Sequence, residues 1–376
     1  MKKIMVGLSG GVDSAVALYL LKKQGYDVVA GFMRNWDSFA NGDVLGNPTI
    51  EDDVCPQEKD YMDAKKVADQ LGVKLYRIDF VKEYWDSVFT YFLKEYERGR
   101  TPNPDVFCNK YIKFDAFLKF AKEMGCDGIA TGHYAKRVEG EDGMTLLCKC
   151  HDQSKDQTYF LSQLTQEQIA SCLFPLGDID KVEVRQIAKS LGLEVATKKD
   201  STGVCFIGER NFKEFLKNYI PAKSGDIVDY HSKEKVGRHD GVMYYTIGQR
   251  KGLGIGGLKN HQNGSWFVVK KDVKNNILYV VQGDEDEELL SDECWIQNVV
   301  FSSRRPEEGK VLGCKFRYRQ KDCHVTITYE EDGQICIHYC SPVRAVTEGQ
   351  IAVLYDGDIC LGGGIIERVF YQGKRK

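Results

Sequence analysis

The chain has 376 residues, enough for two or three domains. With 52 Lys and Arg against 55 Asp and Glu the formal charge is −3, and 42% of residues are hydrophobic and 28% charged; this excludes a disordered chain and a polybasic nucleic-acid coat, while leaving room for a local basic face. No apolar run approaches the ~20 residues of a membrane helix, so no membrane association is expected. In the first two hundred residues short apolar strands alternate with amphipathic helices: strand 4–8, helix 14–24 stopped by Gly25, strand 27–33, helix 60–71 stopped by Gly72, strand 74–80, helices 83–97 and 110–123, and strand 128–131. Such alternation predicts an α/β domain built on a parallel sheet covered on both faces. Helical patterns continue at 166–173, 182–191 and 211–218.

After Pro221 turn residues crowd in and period-two alternation takes over, at 266–270, 277–281, 311–318, 323–329, 334–339, 350–355 and 359–368. Many short strands at this spacing predict small antiparallel barrels. The acidic stretch 284–288 reads as a linker between two of them. The expected layout is an α/β domain over 1–220, a small central β domain over 221–285 and a C-terminal β-barrel over 286–376.

The N-terminus has two lysines and an apolar stretch, but Asp13 and the Gly10-Gly11 pair interrupt it and no small-residue cleavage site follows. It is expected to be mature structure rather than a signal peptide. The 13 cysteines are odd in number and form no repeating framework, which favours free thiols in a reducing cytoplasm. Cys148-x-Cys150-His151 comes nearest to a metal pattern, and reads more simply as a strand with two buried thiols.

Gly7-Leu8-Ser9-Gly10-Gly11-Val12-Asp13-Ser14 lies between the first strand and the first helix. Two glycines without Cβ let the backbone turn its N–H groups onto an anion, and the helix start adds its own free amides and dipole. Ser9 and Ser14 offer hydroxyls, and Asp13 a carboxylate to orient the loop or hold magnesium. The alternative is a plain Gly-Gly turn with Ser14 as a helix cap. The lysine of a Walker loop and the dinucleotide glycine pattern are both missing. The sequence SGGVDS in this position resembles the PP-loop ATP pyrophosphatases, which cleave ATP between the α and β phosphates.

Thr101-Pro102-Asn103-Pro104-Asp105 is a Pro-rich segment expected to be neither helix nor central strand. Cys108 follows it, close to a helix start and to Lys110, both of which favour a thiolate; Asp105 could exchange a proton nearby. Locally a small buried thiol is an equal alternative. Cys205 follows the turn residues Asp200-Ser201-Thr202-Gly203. There a core thiol leads until the pairing is considered, because a phosphate loop with two loop cysteines suggests sulfur chemistry on an adenylated substrate.

SGGVDS, NPDVFCNKYIKF, ATGHYA, DQSKDQTYFL, DSTGVCFIGER, KFRYRQ, SPVRAVTEGQ and AVLYDGD, in this order, resemble the bacterial tRNA-specific 2-thiouridylases over nearly the whole chain. The resemblance implies an adenine nucleotide alpha-hydrolase-like PP-loop domain, a central β domain and a C-terminal β-barrel. It implies ATP-dependent replacement of the 2-oxygen of the wobble uridine by sulfur. By motif, Gly7, Leu8, Ser9, Gly10, Gly11, Val12, Asp13 and Ser14 would bind ATP, with Met33 and Gly132 lining the nucleotide site. Cys108 would be the nucleophile and Cys205 the persulfide carrier, the two pairing transiently. Asn103, Pro104 and Asp105 would meet the base, and His133, Lys155, Asp156, Gln157, Arg317, Tyr318 and Gln350 the tRNA. Lysine, glutamate and glutamine tRNAs are the implied substrates, and a cysteine desulfurase or sulfur-relay protein the implied donor. The basic run Arg304, Arg305, Lys310, Lys315, Arg317, Arg319 and Lys321 alternates with Phe316 and Tyr318; in a strand it would place Arg317 and Arg319 on one face, as a solvated edge or as phosphate contacts. An amidotransferase or ligase of the same superfamily, or a non-catalytic nucleotide- or RNA-binding protein, would leave Cys108 and Cys205 without a use.

Overall fold

Along β1 (Lys3–Gly7), Ile4 and Val6 project to one face and Met5 to the other, and all three are buried. A strand covered on both faces needs a helical layer on each side. The computed structural model, which describes residues 2–200, 207–208, 210–221, 223–256 and 264–376, has both layers. Chain order is β1, α1 (Val12–Lys23), β2 (Asp27–Arg34), α2 (Pro56–Gln70), β3 (Leu75–Asp79), α3 (Val81–Tyr84), α4 (Thr90–Glu97), α5 (Pro104–Cys108), α6 (Phe117–Glu123), β4 (Gly128–Ala130), β5 (Lys136–Glu139), β6 (Thr145–Cys148), α7 (Thr158–Leu161), α8 (Gln166–Ala170), β7 (Cys172–Leu173), α9 (Lys181–Ser190) and α10 (Phe212–Lys217). Single π-helical segments, Trp85–Phe89 and Asn109–Ala116, join α3 to α4 and α5 to α6.

The first sheet is parallel throughout, in the order β3-β2-β1-β4-β7. α1, α2 and α9 pack on Ile4, Val6, Ala30 and Phe32. α6 packs on Met5, Met33, Ile78 and Ile129 from the other side. From β1 the chain moves to β2 and β3 on one flank, then crosses to β4 on the other. The strand order therefore reverses between β1 and β4, where an open α/β sheet leaves a crevice at its carboxyl ends.

Two local expectations fail in the first domain. Residues 166–173 are not one helix: α8 closes at Ala170, and Cys172–Leu173 pair with β4 as an edge strand. The Pro-rich segment does enter a helix. The Asn103 side chain caps α5 by accepting from the Val106 amide, and Pro104 takes the first helical position, where no amide hydrogen is needed. Cys108 is thus a helical residue rather than a loop residue.

β8 (Gly225–Asp229), β9 (Lys235–His239), β10 (Trp266–Asp272) and β11 (Ile277–Gln282) form a separate sheet in the order β10-β11-β8-β9. A 3-10 turn at Glu287–Leu289 then leads into β12 (Leu290–Phe301), β13 (Leu312–Lys315), β14 (Cys323–Tyr329), β15 (Ile335–Arg344), β16 (Ile351–Asp356), β17 (Ile359–Tyr371) and β18 (Lys374–Arg375). Six of these close a barrel, β12-β15-β14-β13-β16-β17 and back to β12, around Cys294, Ile296, Val325, Ile327, Ile337 and Leu354. β13 ends at Lys315 rather than running to 318. The Gln320 side chain accepts from the Phe316 amide, and the Gln320 amide donates to the Arg317 carbonyl, which turns the chain. The hairpin β5–β6, emitted between β4 and α7, leaves its own domain and pairs with β17 at Cys148–Ile359 and Leu147–Cys360. No described helix is long and apolar enough to cross a membrane.

Candidate active site

The loop between β1 and α1 is shaped by contacts that only glycine permits. Gly10 has φ +76°, and a Cβ there would lie 2.2 Å from the Asp60 carbonyl oxygen on α2. Opposite it, a Cβ on Gly132 would lie 2.8 Å from both the Asp13 carbonyl carbon and the Ser14 nitrogen, so the segment after β4 presses directly on the start of α1. Ser14 is buried and works inside the loop: its Oγ accepts from the Ser9 amide at 3.1 Å and donates to the Gly11 carbonyl at 3.1 Å. Met33 lies alongside, its methyl 3.3 Å from where a Gly7 Cβ would be. Leu8 and Val12 are buried in the α1 layer. The residues expected around a nucleotide, from Gly7 to Ser14 with Met33 and Gly132, are therefore brought together at the switch point.

Charge around this loop is arranged in large part by residues that no sequence motif singles out, Lys181, Arg185 and Lys198. Lys198 Nζ donates to the Gly10 carbonyl at 3.0 Å and bridges Asp60 and Asp63 on α2 at 2.8 and 2.6 Å. Lys181 Nζ holds both oxygens of Asp13, at 2.6 and 2.8 Å, and also reaches Asp200 at 2.8 Å. Arg185 and Lys155 meet the same Asp200 at 2.9 and 3.1 Å. Burial alone would raise the Asp200 pKa; hydrogen bonds from Lys181 and Lys155 outweigh it and hold the carboxyl below its usual value. Four cations, Lys155, Lys181, Arg185 and Lys198, thus face four carboxylates, Asp13, Asp60, Asp63 and Asp200, and ring the loop with ion pairs whose cations suit a polyphosphate. Lys181 and Arg185 are four residues apart on one face of α9, which was the available signal.

The segment 131–134 links this wall to Cys108. The Tyr134 hydroxyl donates to Asp13 at 2.9 Å. The neighbouring His133 packs on Phe114, in the helical run after Cys108, with ring centroids 5.8 Å apart, and shares a hydrogen bond with Thr131 Oγ1 at 2.8 Å. Burial, with the charge of Lys113, pushes the His133 pKa well below its usual value, so it offers the site a neutral imidazole.

Cys108 is 0% exposed and packs with Phe107, Ile112, Phe114 and Tyr159. Asp105 lies three positions earlier, on the same face of α5 and partly exposed. Asn109 donates to the Phe160 carbonyl at 3.1 Å while its buried Oδ1 has no partner. Lys110 reaches Gln163 at 3.1 Å, and burial lowers its pKa. Cys205 lies outside the described residues. The motif that carries it ends at Arg210, whose guanidinium is locked to the buried Asp43 at 2.8 Å, in the loop that follows β2. That loop leaves the sheet at the same carboxyl edge, where Asn35 is 0% exposed with both amide atoms unpartnered.

The residues expected to meet tRNA divide into two sorts. Lys155 projects outward beside Asp200. Asp156 is buried and structural, accepting from the Cys150 amide and the Thr158 hydroxyl at 3.1 and 2.6 Å. Gln157 clamps the 131–134 segment, its Oε1 accepting from the Tyr134 amide at 3.0 Å. Arg317 does not share an outer strand face with Arg319. Its Nη2 donates to the Ile247 and Ala345 carbonyls and to Thr347 Oγ1, each at 2.8 Å, tying the central sheet to the barrel. Burial lowers its pKa. Tyr318 packs on Phe160 with the rings tilted by 42° and their centroids 4.2 Å apart. Gln350 donates to the Thr101 carbonyl at 2.7 Å and so grips the segment just before Asn103 and α5. Arg100 reinforces that grip, paired with Glu95 at 3.3 Å and Glu367 at 2.6 Å. Much of the basic run is neutralised: Arg304 by Asp142 at 2.8 Å, Lys310 by Asp356 at 2.6 Å and Lys315 by Asp322 at 3.7 Å.

Three family models tile the chain: a tRNA methyl transferase HUP domain over 2–209, a tRNA methyl transferase PRC-barrel domain over 213–282 and an aminomethyltransferase beta-barrel domain over 291–366. The chain is 52% identical over 375 residues to the tRNA-specific 2-thiouridylase of Mycoplasma capricolum, covering 98% of this chain and 99% of that one. It is 52% identical to the corresponding protein of Listeria innocua, over 99% of this chain and 96% of the other. The same identity holds against that of Streptococcus thermophilus, over 99% and 97%.

Proposed function

The chain belongs to the tRNA-specific 2-thiouridylase family, and we propose that it uses ATP to activate the C2 oxygen of the wobble uridine of tRNA and exchanges that oxygen for sulfur. The observation that carries the reading is the phosphate-shaped loop walled by Lys155, Lys181 and Arg185, linked through Tyr134 and His133 to the helix of Cys108. Methyl transfer, named in the family models, would leave an ATP loop and its cations without a task.

A uracil oxygen is a very poor leaving group. Its attack on the α-phosphorus of ATP expels pyrophosphate and leaves it as part of an AMP ester. The terminal sulfur of a Cys205 persulfide then attacks C2, and AMP departs with the oxygen. Cys108 thiolate attacks the inner sulfur on Cys205 and breaks the S–S bond; the terminal sulfur stays on the base, and a Cys108–Cys205 disulfide awaits reduction by an external thiol. Asp105, on the Cys108 face of α5, exchanges the proton. Asn103 and Pro104 border the base, which must leave its stack to arrive. Cys108 is fully covered, so α5 shifts when tRNA docks. Lys155, His133 and Tyr318 meet the tRNA directly, while Arg317 and Gln350 serve docking from beneath, by holding the segments that do. A protein-held magnesium does not fit Asp13, both of whose oxygens are taken by Lys181, and no step here depends on the ion. The sulfur donor is a cysteine desulfurase or relay protein, and the substrates are tRNAs for lysine, glutamate and glutamine.

The test is a reconstitution with ATP, a persulfide donor and unmodified tRNA. One 2-thiouridine per AMP released is expected, read by nucleoside mass spectrometry. AMP release with no thiolated nucleoside, or a nucleoside heavier by a methyl group, overturns the reading.

A further inference from the structure

On the outer face of the barrel, far in sequence from either cysteine of the reaction, three different ligand types converge. Cys336 and His338 alternate on β15 and so share one face, while Cys294, Ile296, Ile335 and Ile337 fill the inner one. Glu293 on β12 is the direct cross-strand partner of His338. One ligand atom from each lies within 4.8 Å of the other two. His338 Nδ1 stands 3.4 Å from Glu293 Oε2 and 4.0 Å from Cys336 Sγ. Around a tetrahedral zinc, with bonds of about 2.0–2.3 Å, such ligand atoms lie roughly 3.4–3.6 Å apart. The carboxylate–imidazole pair has that separation already, and the thiol needs to close on the imidazole by about half an ångström.

The groups behind the ligands also fit. His338 Nε2 shares a hydrogen bond with Thr328 Oγ1 at 3.3 Å, which leaves Nδ1 facing Cys336 and Glu293. The Trp295 indole donates to Glu293 Oε1 at 2.9 Å, which leaves Oε2 facing inward. Each of these two ligands is thus steadied from behind at the atom a metal would not use, the arrangement that orients ligands in metal sites. Cys336 is 2% exposed and shielded from oxidation, while His338 and Glu293 keep side-chain exposures of 44% and 31%, an entry path for an ion.

We propose that Glu293, Cys336 and His338 bind a thiophilic divalent cation of the zinc class on the barrel surface, with a fourth position open to water or to a partner's ligand. Thiolate and imidazole select against magnesium and calcium, which want oxygen alone. Binding displaces the Cys336 proton to solvent and changes no oxidation state. The site is structurally separate from the uridine chemistry and does not rest on it.

Cobalt(II) tests it, because a thiolate ligand gives a near-ultraviolet charge-transfer band and four-coordination gives visible d–d bands. The reduced full-length protein is titrated with cobalt alone, then back-titrated with zinc. Other thiols of the chain also bind cobalt, so the reading is the difference between proteins. Cys336→Ser is expected to lose one equivalent of the thiolate band relative to wild type. His338→Ala, at a half-exposed position that does not threaten folding, is expected to weaken that equivalent by more than the roughly 10–100-fold that an outer partner is worth. Titrations of Cys336→Ser and His338→Ala that superimpose on wild type overturn the proposal. Should Cys336→Ser fail to fold, His338→Ala and Glu293→Gln decide it in the same way.

Discussion

The phosphate loop and the Cys108 helix sit at the same end of one sheet, but they are held in place by opposite means. The loop is shaped from within: Ser9, Gly11 and Ser14 bond one another, and its close neighbours Asp60, Gly132 and Lys198 belong to the same domain. The Cys108 helix is held from outside. Gln350 and Glu348 of the barrel bond the backbone at Thr101, and Arg100 is buried among Glu95, Glu348 and Glu367. The shape of the loop is therefore a property of one domain, whereas the placing of the thiol depends on three modules being assembled, the central one through Thr246 on Thr101.

The comparison is broken most sharply at Cys108 itself. Cys108→Ala is expected to abolish 2-thiouridine formation at a stability loss of about 1 kcal/mol, a small cavity at a buried site, while ATP binding measured by calorimetry persists. Next comes Gly10→Ala. The left-handed backbone costs about 1–2 kcal/mol before any clash with Asp60 is counted, and AMP release should disappear with or without tRNA. Gln350→Leu tests the outside support. It leaves the buried Thr101 carbonyl without its donor, at about 1–3 kcal/mol, so the thiolation rate should fall while the affinity for ATP stays at the wild-type value. Arg317→Ala should lower the melting temperature and leave the salt dependence of tRNA binding unchanged; a log–log slope reduced by about one would instead make it a phosphate contact.

The smallest effect concerns the central sheet. Burial pushes the Lys271 ammonium down to about 7, and its Nζ donates to the Tyr245 carbonyl at 2.8 Å. Between that value and the ordinary lysine range the unfolded chain binds the extra proton, so this group adds stability as pH rises from about 7 to about 10. Thiols and tyrosines with raised pKa act in the opposite sense over the same range. The wild-type curve minus that of Lys271→Met should therefore rise across this window, measured by urea unfolding; a flat difference removes the effect.

What was legible in the sequence was local or periodic. SGGVDS announces a strand–loop–helix turned on its glycines and tied by its hydroxyls, since both speak through adjacent residues. The alternation of strands and helices announced the parallel sheet. Lys181 and Lys198 were missed because their partners Asp13, Asp60 and Asp63 lie more than a hundred residues away. The placement of Arg317 is hidden for a related reason: a basic residue in a basic run looks solvated in sequence, whereas the carbonyls that hold it, Ile247 and Ala345, are distant in the chain. At Pro104 the rule that proline stays out of helices meets its exception, the first helical position, which the capping Asn103 just before it marks in the sequence.

The hairpin β5–β6 sets a schedule for synthesis. Its edge is made early, yet the strand that covers it, β17, is made about two hundred residues later. A chain emerging from the ribosome carries that edge unsatisfied for most of its birth, open to pairing with whatever strand comes near. The last strand of the barrel thus also closes the first domain. A message cut short before residue 359 should yield a product that aggregates or is degraded, rather than a smaller working enzyme.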